Sequence, residues 1–186
     1  MSEEKKKINW LKEIGEYILW LAGVFIAVQL ITNFIGVPSV VDGASMEPNF
    51  HHGEYLWVDK VAYYFSEPER YDVVIFPVES VGNDTHYIKR IIGLPGETVY
   101  IDEKGGIFIN EEQIPDIYGK EIIHENNRHL AATPITLGED EYFVLGDNRN
   151  HSSDSRFQTV GNIERDRIVG RVVARFWPFN QMGIVK

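Results

Sequence analysis

Cysteine is absent from the 186 residues, and basic charge is scarce: 18 Lys+Arg stand against 28 Asp+Glu, a formal charge of −10. Without cysteine there is no disulfide, no thiol nucleophile and no cysteine-based zinc site. The compartment stays open on this ground, because a chain without thiols is indifferent to redox conditions. The negative balance excludes a nucleic-acid partner, which needs a basic face to neutralise phosphates. Long apolar runs are lacking too, with one exception that the mean hydropathy of −0.21 conceals. The length suits one ordinary domain with an appendage.

The exception lies between Tyr17 and Val41, where no charged residue occurs. A helix of about 20 residues spans a bilayer core of about 30 Å. A buried core helix would be shorter and show a polar face. A cleavable export signal has an apolar stretch of roughly 7–15 residues, and this run is longer and ends without a small-x-small site. The expectation is a transmembrane helix over 17–37, between an N-terminal segment 1–16 and a domain 38–186. Lys5, Lys6, Lys7 and Lys12 precede the helix, and the next basic residue is Lys60. The positive-inside rule therefore puts 1–16 in the cytoplasm and 38–186 on the outer face of the cell membrane. Trp10, Tyr17 and Trp20 fit the inner interface or ordinary packing.

The remainder reads as β structure. Runs at 54–59, 72–76, 98–101, 107–110, 142–145 and 168–176 are rich in β-branched and aromatic residues. Pro77 is expected to close the second run. Lys104-Gly105-Gly106 marks a hairpin. Residues 115–139 are polar and irregular, which suggests a surface excursion. Phe176-Trp177-Pro178-Phe179 fits either a lipid-dipping edge or a buried final strand.

Chemistry is sparse in this composition. The six histidines show no metal-ligand spacing, and His51-His52 beside Gly53 suggests a turn. Ser45, in Gly43-Ala44-Ser45-Met46-Glu47-Pro48, follows the apolar run in a loop where small residues leave room for close backbone approach. A serine nucleophile needs a base. Lys89, in Tyr87-Ile88-Lys89-Arg90-Ile91, shares a strand face with Tyr87 and Ile91. Among apolar neighbours a lysine sheds its proton; with its tip in water it is an ordinary surface residue. The segment alone leaves both readings open. At the ordinary pKa only about one lysine in 2,500 is neutral at pH 7. A third segment, 146–156, is dense in short polar groups and Arg/Asp pairs and reads as a tightly bonded loop.

Together, in this order, Gly-Ala-Ser45-Met46-Glu-Pro, Arg70-Tyr-Asp72-Val-Val-Ile-Phe76, Tyr87-Ile-Lys89-Arg90-Ile-Ile-Gly-Leu-Pro-Gly96 and Gly146-Asp-Asn-Arg-x-x-Ser152-x-Asp154-Ser-Arg156 resemble the bacterial type I signal peptidases. The likeness is to the short form of Gram-positive bacteria, and it covers the anchor and the domain through Phe179. The resemblance implies an all-β catalytic domain, a signal-peptidase-like β fold, with one N-terminal transmembrane α-helix. It implies a Ser/Lys dyad needing no cofactor or metal, with Ser45 as nucleophile and Lys89 as general base. Eukaryotic-type relatives carry histidine at the lysine position. Ser152 matches the hydroxyl that orients the lysine; Asp147, Arg149, Asp154 and Arg156 match bracing residues. Val41, Met46 and Ile88 fall where the family lines its pockets for small side chains. Signal peptides of exported preproteins, cut after Ala-x-Ala-type sites, are the implied substrates, and membrane lipid is the implied surroundings. No residue pattern specifies an oligomeric state.

Two departures stand out. Gly43 occupies the position where some members carry a serine whose hydroxyl completes the oxyanion hole, which leaves the Ser45 backbone and the Gly43 region. The span from Gly96 to Glu141 is too short for the large second domain of longer members. Competing expectations are a Ser-His-Asp hydrolase using His86 or His151 with Asp147 or Asp154, and an anchored scaffold without turnover. Self-cleaving repressors share the Ser/Lys chemistry but need a DNA-binding domain where this chain has its anchor.

Overall fold

The computed structural model describes residues 10–80 and 83–185. Lys5, Lys6 and Lys7 lie outside the described residues. Helix α1 (Trp10–Leu30) starts earlier than the apolar run and continues into a wider π turn over Ile31–Ile35. Lys12–Ile35 is long and apolar enough to cross a membrane; its most apolar 18-residue window has a mean hydropathy of 2.1, and none of that window is buried inside the structure. Such a surface fits a membrane-anchored protein. The apolar run does not end with the helix, because Gly36 and Val37 already belong to strand β1 (Gly36–Val40).

The domain beyond the helix is a large antiparallel sheet joined to a small one. The strands are β2 (Tyr55–Asp59), β3 (Val73–Ser80), β4 (Asn83–Gly93), β5 (Thr98–Ile101), β6 (Ile107–Ile109), β7 (Glu112–Ile114), β8 (Ile135–Thr136), β9 (Glu141–Leu145), β10 (Ile163–Glu164), β11 (Gly170–Trp177) and β12 (Gly183–Ile184). The large sheet has the order β1-β2-β11-β3-β4-β9-β10, with β12 on β11; the small one is β7-β6-β5-β8. A single helical turn, α2 (Ala62–Phe65), follows β2.

The continuous apolar run of β3 is explained by burial on both faces. Val73 and Ile75 pack with Leu56, Val58 and Ile88, while Val74 and Phe76 pack with Ile91, Tyr142 and Val144. Pro77, expected to end this strand, does not. Ile75 turns its backbone groups toward β11, where its carbonyl accepts the Val169 N–H at 2.9 Å. Pro77, two residues on, faces the same side, past the last β11 pairing, so its missing donor breaks no ladder bond.

The segment 115–139 is less peripheral than its composition suggests. Ile123, Ala131 and Leu137 are buried against Val99, Ile101 and Ile107, so it forms the lid of the small sheet's core. β11 runs to Trp177 as a final long strand, yet Trp177 and Phe179 stay exposed.

β4 holds the two sheets together. It pairs with β3 over 83–90 and with β9 from Arg90 onward, with a bulge between Ile91 and Gly93. Gly93 sits at the junction, where a Cβ would lie 2.6 Å from Val99 Cγ2 and 2.8 Å from Leu137 Cδ1. Gly93→Ala is expected to overpack this joint and lower stability by about 1–3 kcal/mol, read as a lower midpoint in urea unfolding.

Candidate active site

Ser45 lies on the loop joining β1 to β2. The loop's base continues the β1–β2 ladder: Val41 N–H donates to the Glu54 carbonyl, and Gly53 N–H to the Val41 carbonyl, both at 2.9 Å. Buried Met46 and Phe50 anchor its inner side. Asn49 Nδ2 ties it across the molecule to Asp147 Oδ2 (2.8 Å) and to the Tyr118 carbonyl (3.0 Å). Ser45 is thereby held half-buried at the wall of a cleft of about 280 Å³, lined on one side by 40–46 and on the other by 86–89, with His151 and Ser153.

Lys89 comes from β4, one residue before β9 joins that strand. Its Nζ stands 2.9 Å from Ser45 Oγ and 2.9 Å from the Ile88 carbonyl, with the Tyr87 ring 4.8 Å away. The residue is only 3% exposed. Burial therefore lowers its pKa from 10.5 to about 8, against the opposing pull of the Asp154 and Asp147 carboxylates. Of the two sequence readings of Lys89, the structure selects the buried one. At about 1.4 kcal/mol per unit, holding the protonated lysine here costs the fold on the order of 3 kcal/mol.

The bracing residues form a lattice under the pair. Asp147 receives Arg90 through both oxygens, at 2.9 and 2.8 Å, with Arg90 1% and Asp147 0% exposed. The Tyr118 ring covers the same guanidinium at 3.7 Å. Asp154 accepts the Gly146 N–H (3.0 Å) and pairs with Arg156, whose Nη2 reaches the Arg149 carbonyl (2.6 Å). Arg149 in turn holds the Gly146 carbonyl (3.0 Å) and the Asp116 carboxylate (2.9 Å). Gly146, gripped at both backbone groups, packs so tightly that a Cβ there would overlap Ser152 and the Ser45 carbonyl.

Ser152 is buried at this spot, but its Oγ has no hydrogen-bond partner among the described residues; it lies beside the pair without bonding to Lys89. Val41, Met46 and Ile88 do meet, packing in one cluster along the cleft wall. Gly43 has φ +87°, and its N–H donates to His52 Nδ1 at 3.2 Å. His86 and His151 line the cleft, but neither is hydrogen-bonded to Ser45.

Sequence reasoning missed Arg90, Asp116, Tyr118 and Asn148 as parts of the site. Arg90 had a signal: it follows Lys89 in a strand, so it points to the opposite face. Asp116 and Tyr118 sit in the polar excursion, where composition carries no trace of their partners. Removing Arg90 strands a buried carboxylate. Arg90→Met is expected to destabilise the fold by about 3–5 kcal/mol, measured by chemical unfolding.

The chemistry open to this arrangement is nucleophilic attack by a serine whose proton passes to a buried amine. Residues 14–177 match the family described as signal peptidase, peptidase S26. Signal peptidase I T of Bacillus subtilis (strain 168) is 38% identical over 193 residues, covering 98% of each chain. Signal peptidase I of Bacillus licheniformis is 36% identical over 191 residues, covering 96% of this chain and 97% of its own. A crystal structure of a signal peptidase I from Enterococcus faecalis V583 aligns to 57% of this chain and 97% of its own, at 30% identity and a TM-score of 0.44. The pairing of Ser45 with a buried lysine thus sits in a chain that belongs to the signal peptidase family, as a type I signal peptidase of the Gram-positive kind, a serine peptidase that removes signal peptides from preproteins.

Proposed function

We propose that Ser45 and Lys89 form the catalytic dyad and that cleavage follows small residues, at Ala-x-Ala-type ends of signal peptides. The observation that carries this reading is the 2.9 Å link between Lys89 Nζ and Ser45 Oγ with the lysine buried. As a neutral amine, Nζ accepts the hydroxyl proton along that line while Oγ attacks the scissile carbonyl carbon. Nζ then returns the proton to the leaving amine as the C–N bond breaks. A water attacks the resulting ester, Nζ takes its proton, and the acid product departs with Oγ reprotonated.

Substrate placement follows from the cleft. On the side away from β3, β4 is unpaired before Arg90 among the described residues, so its edge at 86–88 can accept an extended peptide main chain. Buried Val41, Met46 and Ile88 leave only shallow recesses there, which favours short side chains. The lattice residues Asp147, Arg149, Asp154 and Arg156 hold this geometry, and Ser152 supplies a hydroxyl beside it.

We place the N-terminus in the cytoplasm and the domain on the outer face of the cell membrane, on the lysine count that favours 1–16 inside. Lys60 supports a domain seated close to the bilayer: its N–H donates to the Ile35 carbonyl (2.9 Å) and its Nζ to the Thr32 carbonyl (3.0 Å). Tyr64 and Phe65, 78% and 87% exposed, follow within the same turn and fit the lipid interface better than Trp177, which pairs with Tyr55 at the far end of β2. Confinement of enzyme and substrate to one membrane raises their effective concentration.

Cleavage of a preprotein by the detergent-solubilised full-length chain tests the dyad. Ser45→Ala and Lys89→Ala are expected to be folded and inactive, and near-normal turnover by Lys89→Ala would sink the assignment. In wild type, kcat/KM should rise with pH through an apparent pKa of about 8, because the base works when deprotonated. A limb near 6.5 that vanishes in His86→Ala or His151→Ala would restore a histidine mechanism. Stability provides a second reading. A lysine pKa lowered in the folded state means that the unfolded chain binds the extra proton, so stability rises with pH between about 8 and 10.5. That rise should be missing from Lys89→Met, which should also unfold at a higher temperature than wild type at pH 7.

A further inference from the structure

A serine peptidase must stabilise the oxyanion that forms on the scissile carbonyl, and Gly43 brings no hydroxyl to do so. Its own N–H is already given to His52 Nδ1. The Ser45 N–H, by contrast, donates to no group among the described residues.

What aims that N–H is decided one atom away. A trans peptide is planar, so the Ala44 carbonyl and the Ser45 N–H point in opposite directions within one rigid unit. Asn148 Nδ2 donates to the Ala44 carbonyl at 3.0 Å, and the Asn148 N–H donates to the Ser45 carbonyl at 3.0 Å. One residue therefore holds the carbonyls on both sides of the Ser45 Cα. The Glu47 N–H adds a longer bond, 3.2 Å, to the same Ala44 oxygen. Donors on a peptide carbonyl also polarise its N–H and make it a better donor.

The other end of the asparagine is telling. Asn148 is buried, and its Oδ1 has no hydrogen-bond partner among the described residues. A buried acceptor left unpaired is a penalty that an apolar side chain of similar size would avoid. What the side-chain amide contributes here is one donor, Nδ2, and it meets the Ala44 carbonyl next to Ser45.

We propose that Asn148 is the positioning residue that aims the Ser45 N–H as the oxyanion donor. It rests on the Ser45/Lys89 reading and adds to it the group that fixes the direction of the backbone donor where Gly43 offers no side-chain donor. Asn148 acts through the Ala44–Ser45 peptide and touches no substrate.

The test uses full-length protein in detergent, with wild type, Asn148→Ala, Asn148→Asp and Ser45→Ala. The aspartate keeps the shape and the backbone donor but turns a carboxylate oxygen toward the Ala44 carbonyl. Steady-state cleavage of a preprotein is combined with inhibition by a peptide aldehyde, whose hemiacetal with Ser45 places an oxygen where the oxyanion sits. Losing one oxyanion donor costs roughly 10²–10³ in rate, so misaiming one should cost roughly 10–10² in kcat. KM should stay within about threefold, aldehyde affinity should fall by a factor comparable to that in kcat, and the acid limb should not move. Turnover near that of wild type overturns the proposal, as does a loss confined to KM, an unchanged aldehyde affinity, or a displaced limb. Failure of both Asn148 variants to fold also overturns it, because the residue is then structural. An active Ser45→Ala defeats the dyad itself; an inactive one beside fully active Asn148 variants defeats only this inference.

Discussion

The burial of one ammonium group governs the rest of the molecule. Lys89 is nearly excluded from water and rests against Ser45 Oγ, and its pKa is lowered to about 8 as a consequence. A fold carries such a group only if the surroundings cannot relax to let it out. Both segments that could open are locked: β4 is paired with β3 up to Arg90, and the Ser45 loop is clamped at its base by Val41, Gly53 and Glu54.

Beneath the pair, the segment 146–156 is densely cross-bonded. Arg90–Asp147 and Arg156–Asp154 are fully buried pairs, and each arginine also holds a backbone carbonyl. Buried ion pairs add little net stability compared with apolar packing. Their value here is directional: a guanidinium locked at several points fixes the backbone of Gly146 and its neighbours to within a hydrogen-bond length. The carboxylates also temper the lysine, since Asp154 and Asp147 pull its pKa upward against the desolvation that lowers it. The resulting value lies within about a unit of neutral pH, a range in which an amine can take up and release a proton.

The anchor and the domain are joined without a flexible linker. Helix α1 passes through the π turn directly into β1, and Lys60 grips the last turns through the Ile35 and Thr32 carbonyls. Because β1 then leads straight into the Ser45 loop, the distance from the helix end to Ser45 is set by one short strand. An enzyme acting on segments that leave a membrane gains from such a joint, since it fixes the height of the cleft.

Much of this was legible in the residue order. The uncharged run from Tyr17 to Val41 marked a helix of membrane-span length, because so many apolar residues around a whole circumference leave no polar face. Alternation and β-branching marked the main strands, and the short polar residues around Arg and Asp in 146–156 marked a tightly bonded loop. The sequence left other matters undecided for a physical reason: burial and pairing are properties of elements brought together from far apart. Lys89 reads equally as a surface lysine until the Ser45 loop closes over it. Residues 115–139 read as surface until Ile123 and Leu137 turn inward against the small sheet. Pro77 reads as a strand end until β11 is seen to have left that edge. The sequence by itself determined the elements and the chemical types available; the tertiary structure alone decided which amine lost its water and which carboxylates came near enough to pull on its charge.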